Sequence, residues 1–277
     1  MTRFFTDLFN EEEANVIFFG IKINKKSEQL LDSLRKTSWF VECFDVDSGK
    51  NLLENVKIYD IGNVNQNEIT TKIKEITGRK KIPLMISQTH LSTLYAMKAF
   101  EGVSLIVFDA HCDLKNKYVD EKVVVMDDRD DKTMNCVTWL RRLVENRNLK
   151  VCLLGIRSCD EDEVEVMKNK KILWFTSNQI KSDIRRAKDV LRKFSEGEKI
   201  YLSIDVDCFD PSIAPAVHYL EPNGLSFREF DELTEAIKGE IVGIDLNSIA
   251  CSNEQSEFVA TKAILKALGK ITLVDNK

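Results

Sequence analysis

The sequence predicts an α/β protein in which a mostly parallel sheet is covered by helices on both faces. Short apolar runs of strand length alternate along the chain with stretches whose apolar residues recur at helical spacing. No linker, low-complexity segment or internal repeat interrupts this alternation, so residues 1–277 are expected to form one domain. Polar clusters follow several of the apolar runs, at the edge where sheets of this kind bind ligands.

Nine runs rich in valine, isoleucine, leucine and aromatic residues predict the strands. They are Asn15–Ile21, Val56–Ile61, Pro83–Ser87, Val103–Asp109, Val151–Ile156, Ile172–Thr176, Lys199–Asp205, Glu240–Leu246 and Ile271–Val274. Between the runs, apolar residues three and four positions apart predict helices that bury one face. The helices are Glu28–Thr37, Gln66–Thr77, Leu91–Ala99, Val137–Asn146, Glu161–Lys168, Ser182–Phe194, Phe227–Ile237 and Glu254–Leu268. Strands joined by helices in this way form βαβ units.

The composition favours a small-molecule substrate over a nucleic acid or a membrane. The formal net charge is −5, and charges of both signs are scattered along the chain without a long basic stripe. The first residues are acidic, whereas a signal peptide begins with a basic segment followed by an apolar one. No apolar run approaches the roughly 20 residues that span a bilayer. These features predict a cytoplasmic protein.

The cysteine pattern argues against a disulfide framework or a zinc site, whereas the histidines point to a different metal site. Seven cysteines occur at irregular spacing without a C-x-x-C pair, which predicts free thiols, several of them buried, rather than disulfides or a zinc site. Only three histidines occur, and two of them belong to a cluster of metal-binding side chains. That scarcity makes each histidine informative.

Six metal-binding side chains follow three of the predicted strands. They are His90, Asp109, His111, Asp113, Asp205 and Asp207. The i, i+2, i+4 spacing of Asp109, His111 and Asp113 places all three on one face of an extended segment. Oxygen-rich ligation with two imidazoles suits Mn²⁺, and four carboxylates roughly neutralise two dications. The sequence therefore predicts a two-metal site that can activate water for attack on a trigonal carbon.

Each of these residues also has a simpler interpretation. A lone aspartate at a strand end is usually a turn former or a helix cap, and a lone histidine is more often a satisfied polar residue than a ligand. The Asp-x-His-x-Asp pattern of Asp109–Asp113 directly follows an apolar run, however, and burying two carboxylates without a cation is costly. The second pattern, Asp205-x-Asp207, and His90 strengthen the metal interpretation.

Three motifs resemble the signatures of the ureohydrolases, the family of arginase, agmatinase and formiminoglutamase. That family carries Gly-Gly-Asp-His, then Asp-Ala-His-x-Asp, then Ser-x-Asp-x-Asp-x-x-Asp-Pro-x-x-Ala-Pro. The chain has Ser87–His90, Asp109–Asp113 and Ser203–Pro215 in the same order. Weaker similarities extend the resemblance over most of the chain, at Tyr59–Gly62, Glu221–Ser226 and Ile241–Leu246.

The resemblance implies a three-layer α/β/α fold with a mostly parallel, eight-stranded sheet. It implies two Mn²⁺ held by the six side chains and hydrolysis of a guanidino or related C–N bond by a hydroxide that bridges the metals. Asp113 is then expected to contact that hydroxide, and Asn116 and Ser248 are expected on the substrate side. Agmatine is the first substrate to test, and a homo-oligomer, a trimer or hexamer, is expected.

The chain departs from the family at its substrate-side residues. Cys136 stands where active members carry a histidine, and Ser248 stands where they carry a glutamate that pairs with the guanidinium. The simplest interpretation of Cys136 is a packing residue, and the alternatives are a substituted proton donor or a covalent nucleophile. His218 lies where the family has small residues, so it is either a pocket residue or a solvated loop residue. Asp113, Cys136 and His218 are the catalytic candidates.

All six expected metal ligands are present while the substrate-side residues are altered, and two hypotheses follow from this combination. One is a manganese-dependent hydrolase of an agmatine-type compound or of a different, neutral C–N substrate. The other is a weak or silent family member that serves as a metal-binding or assembly protein. A nucleotide-binding protein is disfavoured, because the sequence has neither a P-loop nor a G-x-G-x-x-G motif.

Overall fold

The computed structural model describes residues 3–5, 9–118 and 133–271. Eight strands form one sheet and two short strands form a separate hairpin. In chain order, the strands are β1 Val16–Lys22, β2 Phe44–Asp45, β3 Lys50–Asn51, β4 Ile58–Asn65, β5 Ile82–Ile86, β6 Ser104–Phe108, β7 Val151–Ile156, β8 Leu173–Thr176, β9 Lys199–Asp205 and β10 Glu240–Asn247. The large sheet has the order β4-β1-β5-β10-β9-β6-β7-β8, and every neighbouring pair in it is parallel.

Helices cover both faces of this sheet. They are α1 Lys25–Ser38, α2 Ile69–Gly78, α3 Leu91–Met97, α4 Trp139–Asn146, α5 Glu161–Asn169, α6 Ser177–Ser182, α7 Ile184–Ser195, α8 Phe227–Ala236 and α9 Glu254–Leu268. Apolar side chains of α2, α3, α4 and α5 join one buried cluster, and those of α1, α6, α7, α8 and α9 join another. The predicted three-layer α/β/α class with an eight-stranded parallel sheet is confirmed.

The strands are apolar on both faces because each face meets a helical layer. Along β6, Leu105 and Val107 join the cluster on one side, and Ile106 and Phe108 join the cluster on the other. Side chains of successive strand residues point to opposite faces, so a strand packed on both sides needs an apolar residue at every position. A buried leucine or isoleucine contributes about 2–3 kcal/mol of transfer free energy.

The element boundaries differ from the prediction where local capping decides. Helix α1 begins three residues earlier than expected, because Asn24 and Ser27 form a capping box at its start. The helix predicted at Ser182–Phe194 is α7, which begins at Ile184 because Asp183 is non-helical and caps it through the backbone N–H of Arg186. The short helix α6 before it was not predicted. The β2–β3 hairpin was not predicted.

The ninth predicted strand, Ile271–Val274, is not tested. Ile271 lies outside any strand, and residues 272–274 lie outside the described residues. Within the part of the chain that the structure describes, no helix is long and apolar enough to cross a membrane.

Candidate metal centre

The candidate centre lies at the carboxyl ends of four neighbouring strands. β5, β10, β9 and β6 are adjacent in the sheet, and each is followed or ended by a residue of the site. Those residues are His90 after β5, Ser248 after β10, Asp205 at the end of β9 and Asp109 after β6. Parallel strands present their carboxyl ends at one edge, so residues far apart in sequence meet there.

The Asp109–Asp113 segment turns away from the sheet after β6. The Asp109 Oδ1 accepts a hydrogen bond of 2.7 Å from the backbone N–H of His111. Asp113 has a positive φ of 53°, and its Oδ2 accepts a 2.6 Å hydrogen bond from the indole N–H of Trp139. The expectation that an extended strand aligns the three side chains is therefore wrong in its geometry: β6 ends at Phe108, and a turn brings the side chains together.

A short helical turn places Asp207 after β9. Asp205 Oδ1 accepts a 2.9 Å hydrogen bond from the backbone N–H of Asp207, which begins the 3-10 helix Val206–Cys208. Asp207 Oδ1 accepts a 3.0 Å hydrogen bond from the backbone N–H of Ala110. This bond connects the β9 end to the β6 end and fixes the distance between their carboxylates.

Four acidic side chains and two imidazoles converge in two groups that share Asp109. In the first group, the Nδ1 of buried His90 lies 3.0 Å from Asp109 Oδ2, 3.2 Å from Asp113 Oδ2 and 3.3 Å from Asp205 Oδ2. In the second, His111 Nδ1 lies 3.0 Å from Asp207 Oδ2 and 3.6 Å from Asp109 Oδ1. Asp109 thus turns one oxygen to each group, and each group has side chains suited to one metal ion.

The surroundings of His90 fit a cation better than a proton. Its Nδ1 is buried and has no hydrogen-bond partner of proper geometry, although three carboxylate oxygens surround it. A single N–H can point at one oxygen only, whereas a metal ion can bind the nitrogen and several oxygens together.

A hydrogen-bonded chain behind His90 fixes which nitrogen faces the cavity. Ser203 Oγ donates to Asp245 Oδ1 at 2.6 Å, and it lies 2.9 Å from His90 Nε2. The hydroxyl has only one proton, so Nε2–H donates to Ser203. Nδ1 is then the nitrogen whose lone pair is available to a metal among the carboxylates.

The ionisation of the cluster shows how costly it is without a cation. Burial, and then repulsion by Asp109, raise the pKa of Asp113 to about 6. Burial and repulsion by Asp207 raise the pKa of Asp205 well above its ordinary value. Burial is the largest single effect on His111 and lowers its pKa, but the charges and hydrogen bonds of Asp207 and Asp109 together outweigh burial and raise the pKa to about 12. The cluster therefore holds protons where divalent cations could supply positive charge.

Three substrate-side candidates line the cavity in front of the metal groups. Cys136, His218 and Ser248 share this lining with Gln88 and Tyr219. Burial, and then the charges of nearby aspartates, raise the pKa of Cys136 to about 12, so the thiol is neutral at pH 7 and a poor nucleophile. Burial lowers the pKa of His218, which favours a neutral imidazole.

Of the two predicted substrate-side residues, Ser248 lines the cavity and Asn116 does not. Ser248 adopts a positive φ of 69°, and its hydroxyl donates to Asp205 Oδ2. Asn116 is exposed, and its side-chain oxygen accepts a 2.7 Å hydrogen bond from Arg142. It is not among the described residues that line the cavity, so the structure gives the predicted substrate role of Asn116 no support.

Several residues of the site were not singled out from the sequence. Trp139 donates to Asp113 and packs against His90, with the ring centroids 4.5 Å apart and the ring planes tilted by 37°. Asp245 is fully buried in β10 and accepts hydrogen bonds from Tyr201, Ser203 and Thr93. A lone aspartate within an apolar strand is itself a signal, because an unpaired buried carboxylate is costly.

Comparison with known proteins agrees with this geometry. Residues 28–269 match the model of the arginase family, whose agmatinase-like and arginase-like hydrolases act on C–N bonds other than peptide bonds. The chain belongs to the arginase family, and it resembles the agmatinase-like ureohydrolases within it.

Individual relatives cover most of the chain. An N(1)-aminopropylagmatine ureohydrolase of Thermococcus kodakarensis is 26% identical over an alignment of length 283, gaps included. The alignment covers 95% of this chain and 92% of that protein. An agmatinase of Pyrococcus horikoshii is 26% identical over 206 residues, which cover 73% and 67%. The crystal structure of agmatine ureohydrolase of Thermoplasma volcanium has the same fold, with a TM-score of 0.82 and 23% identity over 97% of this chain and 94% of that one.

Proposed function

We propose that this protein is a binuclear, manganese-dependent hydrolase of the non-peptide C–N bond of a small amidino or guanidino compound. The observation that carries the proposal is the shared carboxylate of Asp109, which turns one oxygen to each of two ligand groups. The relatives named for agmatine and aminopropylagmatine support an agmatine-type substrate. A single-domain chain and assembly into a trimer or hexamer stay predictions.

The two groups divide the proposed ligands between two ions. One ion would be held by His90, Asp109, Asp113 and Asp205, and the other by Asp109, His111 and Asp207. A pair of divalent cations, when bound, supplies Lewis acidity that lets water attack a trigonal carbon at neutral pH.

The chain's own residues orient the reacting groups and move protons. Trp139 holds the Asp113 carboxylate through its indole N–H, and Asp113 is placed to accept a hydrogen bond from the attacking water. Each proton donor considered from the sequence faces the cavity, but the high pKa of Cys136 makes it a poor shuttle. We assign proton transfer from the attacking water to the leaving amine to His218, whose neutral imidazole at the mouth of the cavity accepts the proton of the water before it donates one to the amine.

The direct test is hydrolysis of guanidino compounds by protein saturated with Mn²⁺. We expect two Mn²⁺ per chain by elemental analysis and release of urea and amine above the metal-only blank. His218→Ala should retain both ions and lose about 100-fold in kcat, the usual size of a general acid–base contribution. Full activity in that variant would contradict the assignment of His218, and no turnover of any guanidino compound would reject the hydrolase for this substrate class.

The silent-member alternative has its own observation, the combination of Cys136 and Ser248 in the cavity. It predicts two bound metal ions, a defined oligomer and no turnover. The double variant Cys136→His, Ser248→Glu separates the possibilities, because it introduces the histidine and glutamate that the family resemblance implies for active members. Activity gained only in the variant would identify a decayed hydrolase, whereas activity in the natural chain would exclude the alternative.

A further inference from the structure

A second cavity opens directly beside the metal cavity. Both are lined by Gln88 and His218, so a molecule whose reactive end faces the metal groups can extend its other end into the second space. The outer cavity has a volume of about 200 Å³, and the segment between β1 and α1 forms one of its walls. Gln88 donates to the carbonyls of Ile249 and Ala250, which holds the wall between the two cavities in place.

The described lining of the outer cavity carries positive charge and no acidic side chain. Among its described lining residues, Lys26 is the one with a fixed charge, and no aspartate or glutamate lines it. The acidic side chain nearest in sequence, Glu28, is paired with Lys22 at 2.7 Å. Among the described residues, no acidic side chain pairs with Lys26, so none of them competes with a ligand for its ammonium group.

The described lining of the inner cavity also offers no free carboxylate to a cationic substrate. Its described aspartates all belong to the two metal groups, and Ser248 directs its hydroxyl to Asp205. Glu221 lies on the other side of the His111 ring, 3.9 Å from Nε2, whereas the metal-group carboxylates lie at Nδ1. A guanidino amine such as agmatine would place its terminal ammonium near Lys26 with no described carboxylate to receive it.

We propose that the substrate carries a carboxylate at the end away from the reacting carbon, and that Lys26 is the specificity-determining residue that binds it. This inference rests on the proposed hydrolase function and refines its substrate class to amidino or guanidino acids. The ammonium of Lys26 attracts a carboxylate and repels an ammonium, so its effect appears as a ratio between two ligands of similar length.

The experiment compares 4-guanidinobutyrate with agmatine on the Mn²⁺-loaded protein, by calorimetric binding and by urea release. We expect the natural chain to favour 4-guanidinobutyrate by up to about fivefold, the upper end of what one solvated ion pair contributes. Lys26→Glu should move the ratio of the two affinities at least about tenfold towards agmatine. The matched control is Lys25→Glu, which makes the same charge change at the exposed neighbouring lysine outside the cavity lining, and it should leave the ratio within about twofold.

Measuring both binding and turnover distinguishes failure of the proposed hydrolase function from failure of the proposed role of Lys26. Tighter binding of 4-guanidinobutyrate without urea release would reject the hydrolase while supporting the carboxylate subsite. A preference of the natural chain for agmatine, undetectable binding of 4-guanidinobutyrate, or equal effects of the two lysine variants would overturn the role of Lys26.

Discussion

At the scale of single residues, the site depends on side chains that hold the proposed metal ligands in one orientation. His90 donates from Nε2 to Ser203, which donates onward to the buried carboxylate of Asp245. Trp139 and Ser248 each donate to a carboxylate of the cluster. These bonds fix the direction of each ligand atom before a cation arrives, which lowers the entropy cost of binding it.

Ser203→Ala tests that orientation. The substitution removes the acceptor for His90 Nε2–H, so the ring loses the bond that fixes its direction. We expect the affinity for Mn²⁺ to fall about 10- to 100-fold, the usual effect of losing a partner behind a metal ligand. Competition with a calibrated chelator measures it. Ser104→Ala, on the neighbouring strand β6 but bonded to Glu198, is the control. Equal affinities in the two variants would show that Ser203 does not position His90.

At the scale of elements, a buried ion pair fixes the position of α1, whose first turn lines the outer cavity. Arg35 of α1 is fully buried and binds Asp60 of β4 through Nε at 2.7 Å and Nη2 at 3.2 Å. Asp60 also accepts a hydrogen bond from the backbone N–H of Phe4. This ion pair anchors the helix against the edge of the sheet.

Asp60→Ala should therefore destabilise the fold strongly. The substitution leaves the buried guanidinium of Arg35 without its buried carboxylate partner, a loss that costs about 3–5 kcal/mol in free energy of unfolding. Urea denaturation monitored by circular dichroism measures the change. Asp32→Ala is a matched control, because exposed Asp32 lies 3.7 Å from the same arginine and should contribute less than about 1 kcal/mol. Equal losses of free energy of unfolding in the two variants would show that burial of the Arg35–Asp60 pair does not increase its contribution to stability.

At the scale of the whole molecule, metal binding and stability are linked. The candidate ligands come from the ends of three strands, so their arrangement exists only in the folded chain. A ligand at 1,000 times its dissociation constant stabilises the native state by about 4 kcal/mol. We expect Mn²⁺ to raise the midpoint of thermal unfolding by several degrees and EDTA to reverse the effect.

A ligand variant provides the control for this linkage. In Asp109→Asn, the carboxylate shared by the two groups is lost, so Mn²⁺ should no longer raise the midpoint of thermal unfolding. Calorimetric scans with and without Mn²⁺ measure the shift in each protein. A shift of the same size in both proteins would place the stabilising ions outside the proposed centre.

The local sequence determined the elements and the chemistry of the ligands. Apolar runs such as Val103–Asp109 have strand length and polar ends, and burial on both faces leaves little choice of residue, so all eight strands of the sheet were located. The six proposed ligands were found because buried carboxylates and imidazoles in such spacing are costly without a cation. Helix ends were less certain, because capping by a residue such as Asp183 depends on backbone angles that the apolar pattern does not encode.

Only the tertiary structure decided how these parts meet. Strand order placed β5, β10, β9 and β6 side by side, because pairing between strands is set by long-range packing and not by local pattern. That order gave His90 its three carboxylates, joined Ser203 to Asp245, put Lys26 beside the metal cavity, and left Asn116 at the surface. The sequence determines which residue types are present. The distances between their side chains depend on folding, which brings together positions more than one hundred residues apart.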